Sequence, residues 1–292
     1  MNRTEALKLI RTALKEDAAS CDVTSRALIP ANTHIRARII AKQRGIAAGV
    51  KMAALTFTAV DSSLRCKLRL HSGAKLAPGK TSLSVQGRAR SIFAAERTAL
   101  NFLMHLSGIA TLTRAYVDRV RGTGAKILDT RKTIPGLRAL QKYAVGAGGG
   151  ANHRSNLAEA ILIKTNHLRV LRSRRSSFVD RDSLAEAVDR AKRAKPRRFV
   201  EIEVANISEF RQALAAKPNA ILLDNWPLPR IRAAVRLVRN PRTTNHKRPL
   251  LEVSGGVTLA NVRTIAKTGV DRISIGRLTH SAPALDCSLK VD

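Results

Sequence analysis

Aromatic side chains make up only 3% of the sequence, cysteine occurs three times in 292 residues, and acidic residues are outnumbered 21 to 53 by Lys and Arg. Each shortage excludes something. Cys21, Cys66 and Cys287 form no even-numbered disulfide framework, and no two have C-x-x-C spacing, so a reducing cytoplasm is the economical reading. Few aromatics leave few platforms on which single-stranded nucleic acid can stack. No apolar run approaches the ~18 residues of a membrane span. The first residues lack the apolar core of a secretory signal, and Glu5, Glu16 and Asp17 are out of place in an acid-poor transit peptide. With Thr4 as cap and Leu7, Ile10 and Leu14 on one face, they read instead as the first helix of the fold.

What is abundant is positive charge, a formal +32 spread along the chain with dense runs at 169–175 and 192–198. Such a field attracts anions of every kind, from polynucleotide to a small phosphorylated substrate. Nonspecific binding of polyanions at low salt is therefore expected.

The texture changes near residue 110. Before it, period-two alternation predicts strands at 34–41, 64–70 and 81–87, and helices are expected near 4–15, 51–60 and 91–106, which together make an α+β layer. After it, short apolar strands recur at 126–128, 160–163, 200–204, 220–223, 250–253 and 272–275, each followed by a helix-compatible stretch. Alternating strands and helices imply parallel βα units, hence a six-unit α/β barrel. We place the N-terminal domain at 1–108, the barrel at 109–280, and a tail, 281–292, that returns to the first domain.

Polar residues and glycines end these strands, where α/β barrels build their active sites. Asp129-Thr130-Arg131-Lys132-Thr133 puts two cations side by side; Arg offers a fork for a carboxylate and Lys a point charge for phosphate. A solvated basic turn in a basic protein would read the same. Three glycines, Gly148, Gly149 and Gly150, lead to His153 and Arg154, two further anion donors. A zinc pair of His153 and His167 is the competing idea, but no other ligand lies at suitable spacing. In Val200-Glu201-Ile202-Glu203-Val204 both acids share one face, either the barrel interior with a partner or a wet edge. Ser254-Gly255-Gly256 and Gly276-Arg277 follow the last two strands, where backbone N–H groups commonly hold phosphate.

Taken in order, several strings resemble the quinolinate phosphoribosyltransferase family. They are Glu16-Asp17, Asp22-Val23-Thr24-Ser25, Glu96-Arg97-Thr98-Ala99-Leu100-Asn101-Phe102-Leu103 and Leu106-Ser107-Gly108-Ile109-Ala110-Thr111. The barrel motifs above, with Leu162-Ile163-Lys164, Leu223-Asp224-Asn225 and Leu278-Thr279-His280-Ser281, complete the set over nearly the whole chain. The resemblance implies a cytoplasmic, Mg²⁺-dependent transfer of phosphoribosyl from phosphoribosyl pyrophosphate to quinolinate with decarboxylation, and a homodimer. By the same resemblance, Arg131, His153, Arg154 and Lys164, with Arg97 from the neighbouring subunit, hold the quinolinate carboxylates. Lys132 and Lys164 face the ribose-phosphate donor, Glu203 and Asp224 bind ribose hydroxyls and metal, and Ser254, Gly255, Gly256, Gly276 and Arg277 cradle the 5′-phosphate. The sequence departs from the family pattern at Cys21, Asn156, Thr165 and Arg277, the last a large side chain where a small one is usual. A same-fold enzyme with another substrate should lack part of the carboxylate-binding set. A nucleic-acid-binding protein should concentrate its charge on one face.

Overall fold

The capping residue of the first helix is Asn2 rather than Thr4. In the computed structural model, which describes residues 2–173, 183–239 and 248–292, the Asn2 side chain accepts from the Glu5 N–H while Glu5 reaches back to the Asn2 N–H. This reciprocal box starts α1 (Arg3–Glu16) two residues earlier than a cap at Thr4 would. The following elements are α2 (Val23–Leu28), β1 (His34–Ala41), β2 (Gly45–Ile46), α3 (Val50–Val60), β3 (Arg65–Leu68), β4 (Lys75–Leu76) and β5 (Thr81–Arg88). α4 (Ala89–Val120) is twice the length expected, because Gly108 does not break it. A Cβ at Gly108 would meet the Pro283 carbonyl oxygen at 2.0 Å, so glycine serves close backbone packing there.

The parallel half runs β6 (Lys126–Leu128), α5 (Arg138–Ala147), β7 (Ile161–Ile163), α6 (Thr165–Ser173), α7 (Ser183–Ala194), β8 (Val200–Val204), α8 (Ile207–Ala216), β9 (Ala220–Asp224), α9 (Leu228–Arg239), β10 (Leu250–Ser254), α10 (Val262–Ala266) and β11 (Arg272–Ser274). α11 (Arg277–His280) and β12 (Cys287–Val291) follow. The basic run at 169–175 extends outside the described residues. No described helix is long and apolar enough to cross a membrane.

The chain divides into two compact units. The first comprises residues 1–114, 133–150 and 277–292, and the second 115–132 and 151–276. In the first, an antiparallel sheet of order β12-β1-β5-β3 buries Ala37, Ile39, Leu83 and Val85 against Phe57 of α3 and Ile92, Leu100 and Leu103 of α4. The alternation of β1 puts those apolar residues on one face and leaves its arginines outside. In the second, the strand order β6-β11-β10-β9-β8-β7 is the cyclic order of a six-unit α/β barrel with its seam between β6 and β7. Register fixes what faces inward. Glu203, Leu222, Glu252 and Arg272 lie in one row across β8 to β11, and Asp224, Ser254 and Ser274 in the next.

Candidate active site

Both rows belong to the face from which a cleft of about 340 Å³ opens at the C-terminal ends of the parallel strands. Its cations are Arg131 and Lys132 after β6, Arg154, and Lys164 after β7; its acids are Glu203 at the end of β8, Asp224 at the end of β9 and, deeper, Glu252 of β10, which Ser254 closes. Eight residues singled out in the sequence, Arg131, Lys132, His153, Arg154, Lys164, Glu203, Asp224 and Ser254, thus meet in one place.

The basic side is built on a pinned backbone. Asp129 is fully buried, and its Oδ1 accepts the His153 N–H at 2.9 Å. The His153 ring points into the sheet, with Nε2 3.0 Å from Glu201 Oε2 and 3.4 Å from Glu252 Oε1. Burial works against a charge on this ring, but the hydrogen bond to Glu201 and the nearby negative charge of Glu252 and Glu201 outweigh it and push its pKa up to about 9. The backbone sets a different limit, because the Arg154 N–H donates to Nδ1 at 2.8 Å and leaves no room for a second ring proton. Geometry therefore favours the ring protonated on Nε2 alone, with the proton the cluster attracts kept on Glu201. Burial, then the neighbouring Glu252 charge, raise Glu201 in keeping with that. The Arg154 guanidinium donates to the Ala160 carbonyl at 2.9 Å. Burial, then the Arg131 charge, make its cation less stable, and Glu201 opposes them.

The acidic side is different in kind. Glu203 Oε1 accepts from the Thr165 hydroxyl at 2.8 Å, and Asp224 Oδ2 accepts from the Asn225 amide at 3.1 Å. Partial desolvation, then the charge on Glu203, raise the Asp224 carboxyl, while Asn225, Lys132 and Lys164 counteract. Two carboxylates lining one cleft suit a hard cation such as Mg²⁺ or vicinal sugar hydroxyls.

Gly255 and Gly256 line an adjoining hollow of about 350 Å³ with Asn225, Trp226 and Asn261. Gly255 has φ +85°, and a Cβ there would lie 2.2 Å from Asn225 Oδ1. Asn225, itself left-handed at φ 57°, donates its N–H to the Ser254 carbonyl at 2.8 Å. The loops after β9 and β10 therefore interlock, and only glycine fits at 255. Gly276 lines neither hollow. Arg97, exposed on α4, and Arg277, exposed at the start of α11, belong to the first unit.

Sequence reasoning passed over Glu252 and gave Glu201 no role. The available signal was a lone acid between Leu251 and Val253, and a second between Val200 and Ile202, in strands too apolar to be exposed.

Comparison with known proteins decides the family. The model for the quinolinate phosphoribosyl transferase C-terminal domain matches residues 109–290, and that for its N-terminal domain matches 22–107. The chain belongs to the quinolinate phosphoribosyltransferase family. It is similar to the nicotinate-nucleotide pyrophosphorylase [carboxylating] of Mycobacterium leprae, 43% identical over 285 residues, which are 96% of this chain and 95% of the relative. Quinolinate phosphoribosyltransferase [decarboxylating] 1b of Nicotiana tabacum is 40% identical over 97% of this chain and 81% of its own length. Among solved structures, the nicotinate-nucleotide pyrophosphorylase of Francisella tularensis superposes with a TM-score of 0.89 at 36% identity, over 100% of this chain and 98% of that one. Against the quinolinate phosphoribosyltransferase pattern read in the sequence, Thr165 takes the place of an acid and spends its hydroxyl on Glu203.

Proposed function

We propose that this chain carries out its family's reaction, joining quinolinate to the ribose of phosphoribosyl pyrophosphate and releasing pyrophosphate and carbon dioxide to give nicotinate mononucleotide for NAD biosynthesis. One observation carries the assignment of roles. A single cleft sets Arg131, His153, Arg154 and Lys164 against Glu203 and Asp224. Arg131, Arg154 and Lys164 suit the two carboxylates of the pyridine, and the carboxylates suit a sugar that becomes positive as its leaving group departs. In that step the pyridine nitrogen bonds to the anomeric carbon, and the bond from that carbon to the pyrophosphate oxygen breaks. The bond to the 2-carboxylate then breaks, its electrons stay on the ring carbon beside the now cationic nitrogen, and a proton replaces carbon dioxide.

Lys132 and Lys164 neutralise the phosphates of the donor, while Ser254, Gly255 and Gly256, on the loop that closes β10, hold the 5′-phosphate. Glu203 and Asp224 hold the ribose hydroxyls and Mg²⁺, which supplies charge neutralisation of the leaving pyrophosphate when bound. The enzyme works in the cytoplasm, and its +32 surface also retains polyanions weakly at low salt. Purified protein with Mg²⁺ and phosphoribosyl pyrophosphate should release pyrophosphate only when quinolinate is added. Release that ignores quinolinate, or no release with it, would overturn the reading.

We also assign the active form to a homodimer in which Arg97 enters the partner's cleft. The exposed stripe of Arg97 and Asn101 on α4 supports this, since a two-fold pairing would deliver two such arginines by symmetry. Arg97→Ala and Lys132→Ala should each fold, dimerise and lose activity. Mixing the two with subunit exchange should restore up to about a quarter of wild-type activity, because half the dimers are mixed and each has one intact site. No recovery despite proven exchange would put Arg97 outside the partner's site.

A further inference from the structure

Glu201 and Glu252 have no part in the roles assigned above, yet both are 1% exposed. Glu201 Oε1 and both oxygens of Glu252 accept no hydrogen bond among the described residues. Buried carboxylates left short of partners are costly, so the fold keeps them against a gradient. They converge on the Nε2 side of His153, and Arg272 stands behind them at 3.8 Å from Glu252. On its other side the same ring accepts the Arg154 N–H, and the His153 N–H is held by buried Asp129. The pair therefore grips one end of a short chain of contacts whose other end is the backbone of a substrate-binding arginine. We infer that Glu201 and Glu252 are positioning residues, which hold the His153 ring and through it set the His153–Arg154 turn for the carboxylates of quinolinate.

This inference rests on the placement of quinolinate against His153 and Arg154, and the test separates the two. Glu201→Leu removes the acceptor for Nε2–H at similar volume; Glu201→Gln keeps an acceptor and serves if the first variant does not fold. Glu201→Leu should raise the KM for quinolinate about tenfold, mid-range for coupling within one hydrogen-bonded network, and leave the KM for phosphoribosyl pyrophosphate unchanged. Glu201→Gln should recover part of that loss. In a His153→Ala background Glu201→Leu should add nothing further, because its effect passes through the ring. Equal rises in both KM values, or a full additional tenfold loss in that background, would overturn the positioning role while leaving the pocket assignment intact. If His153→Ala and Arg154→Ala each leave the quinolinate KM unchanged, the pocket assignment itself fails and the inference goes with it.

Discussion

Quinolinate should be used about 10⁴-fold better than nicotinate in kcat/KM, the scale on which a site built for a polar group rejects the analogue lacking it. Nicotinate keeps the ring and the 3-carboxylate but has no 2-carboxylate. In the cleft burial, and then the nearby Arg131 charge, make the Arg154 cation less stable. A dianion relieves that repulsion, whereas a monoanion leaves one cation unpaired in a partly desolvated place. Steady-state kinetics on both acids at one concentration of phosphoribosyl pyrophosphate would measure the ratio. Comparable efficiencies would mean that the basic wall does not read the second carboxylate.

Replacing the acids across the cleft should be nearly as damaging. Glu203→Gln and Asp224→Asn preserve volume and should lower turnover by roughly 10²- to 10³-fold, the size of losing one aligned electrostatic contact. The two are not equally placed. Glu203 is held by the Thr165 hydroxyl, so a glutamine there keeps an acceptor for that bond, while Asp224 is exposed at its strand end and bonded to its neighbour's amide. Both variants should unfold at close to the wild-type temperature, since neither side chain lies in a core. Near-normal kcat for both at saturating Mg²⁺ would place the ribose and metal elsewhere.

The barrel was legible in the sequence because each of its strands is a short apolar run closed by a polar residue or glycine. Arg131, Lys132 and Lys164 follow those runs directly, where chemistry gathers at strand ends, but a solvated basic turn read equally well at 131–132 and the family resemblance made the choice. The grip on His153 was not legible, because Glu201 and Glu252 come from strands fifty residues apart in sequence. Only the register across β8, β9 and β10 brings them to one histidine. The length of α4 was misread for a local reason, since a glycine inside an apolar helical pattern looks like a terminus until its packing partner is known. The first cap was misread because Asn2 and Thr4 are both good capping residues, and only Asn2 has a glutamate three positions on.

One pairing bears on how the protein comes off the ribosome. β1 lies between β5 and β12, and its residues Ala37 and Ala41 face Val291 and Cys287 across the ladder. Until β12 is synthesised, β1 has hydrogen-bonding groups along one edge with nothing to bond. That edge must wait through the synthesis of every strand of the parallel sheet. Unpaired edges invite other strands, so the nascent chain passes through a long interval in which association with a neighbour competes with completion. The arginines on the outward face of β1, Arg36 and Arg38, put like charge along that waiting edge, and charge is a common guard against such pairing.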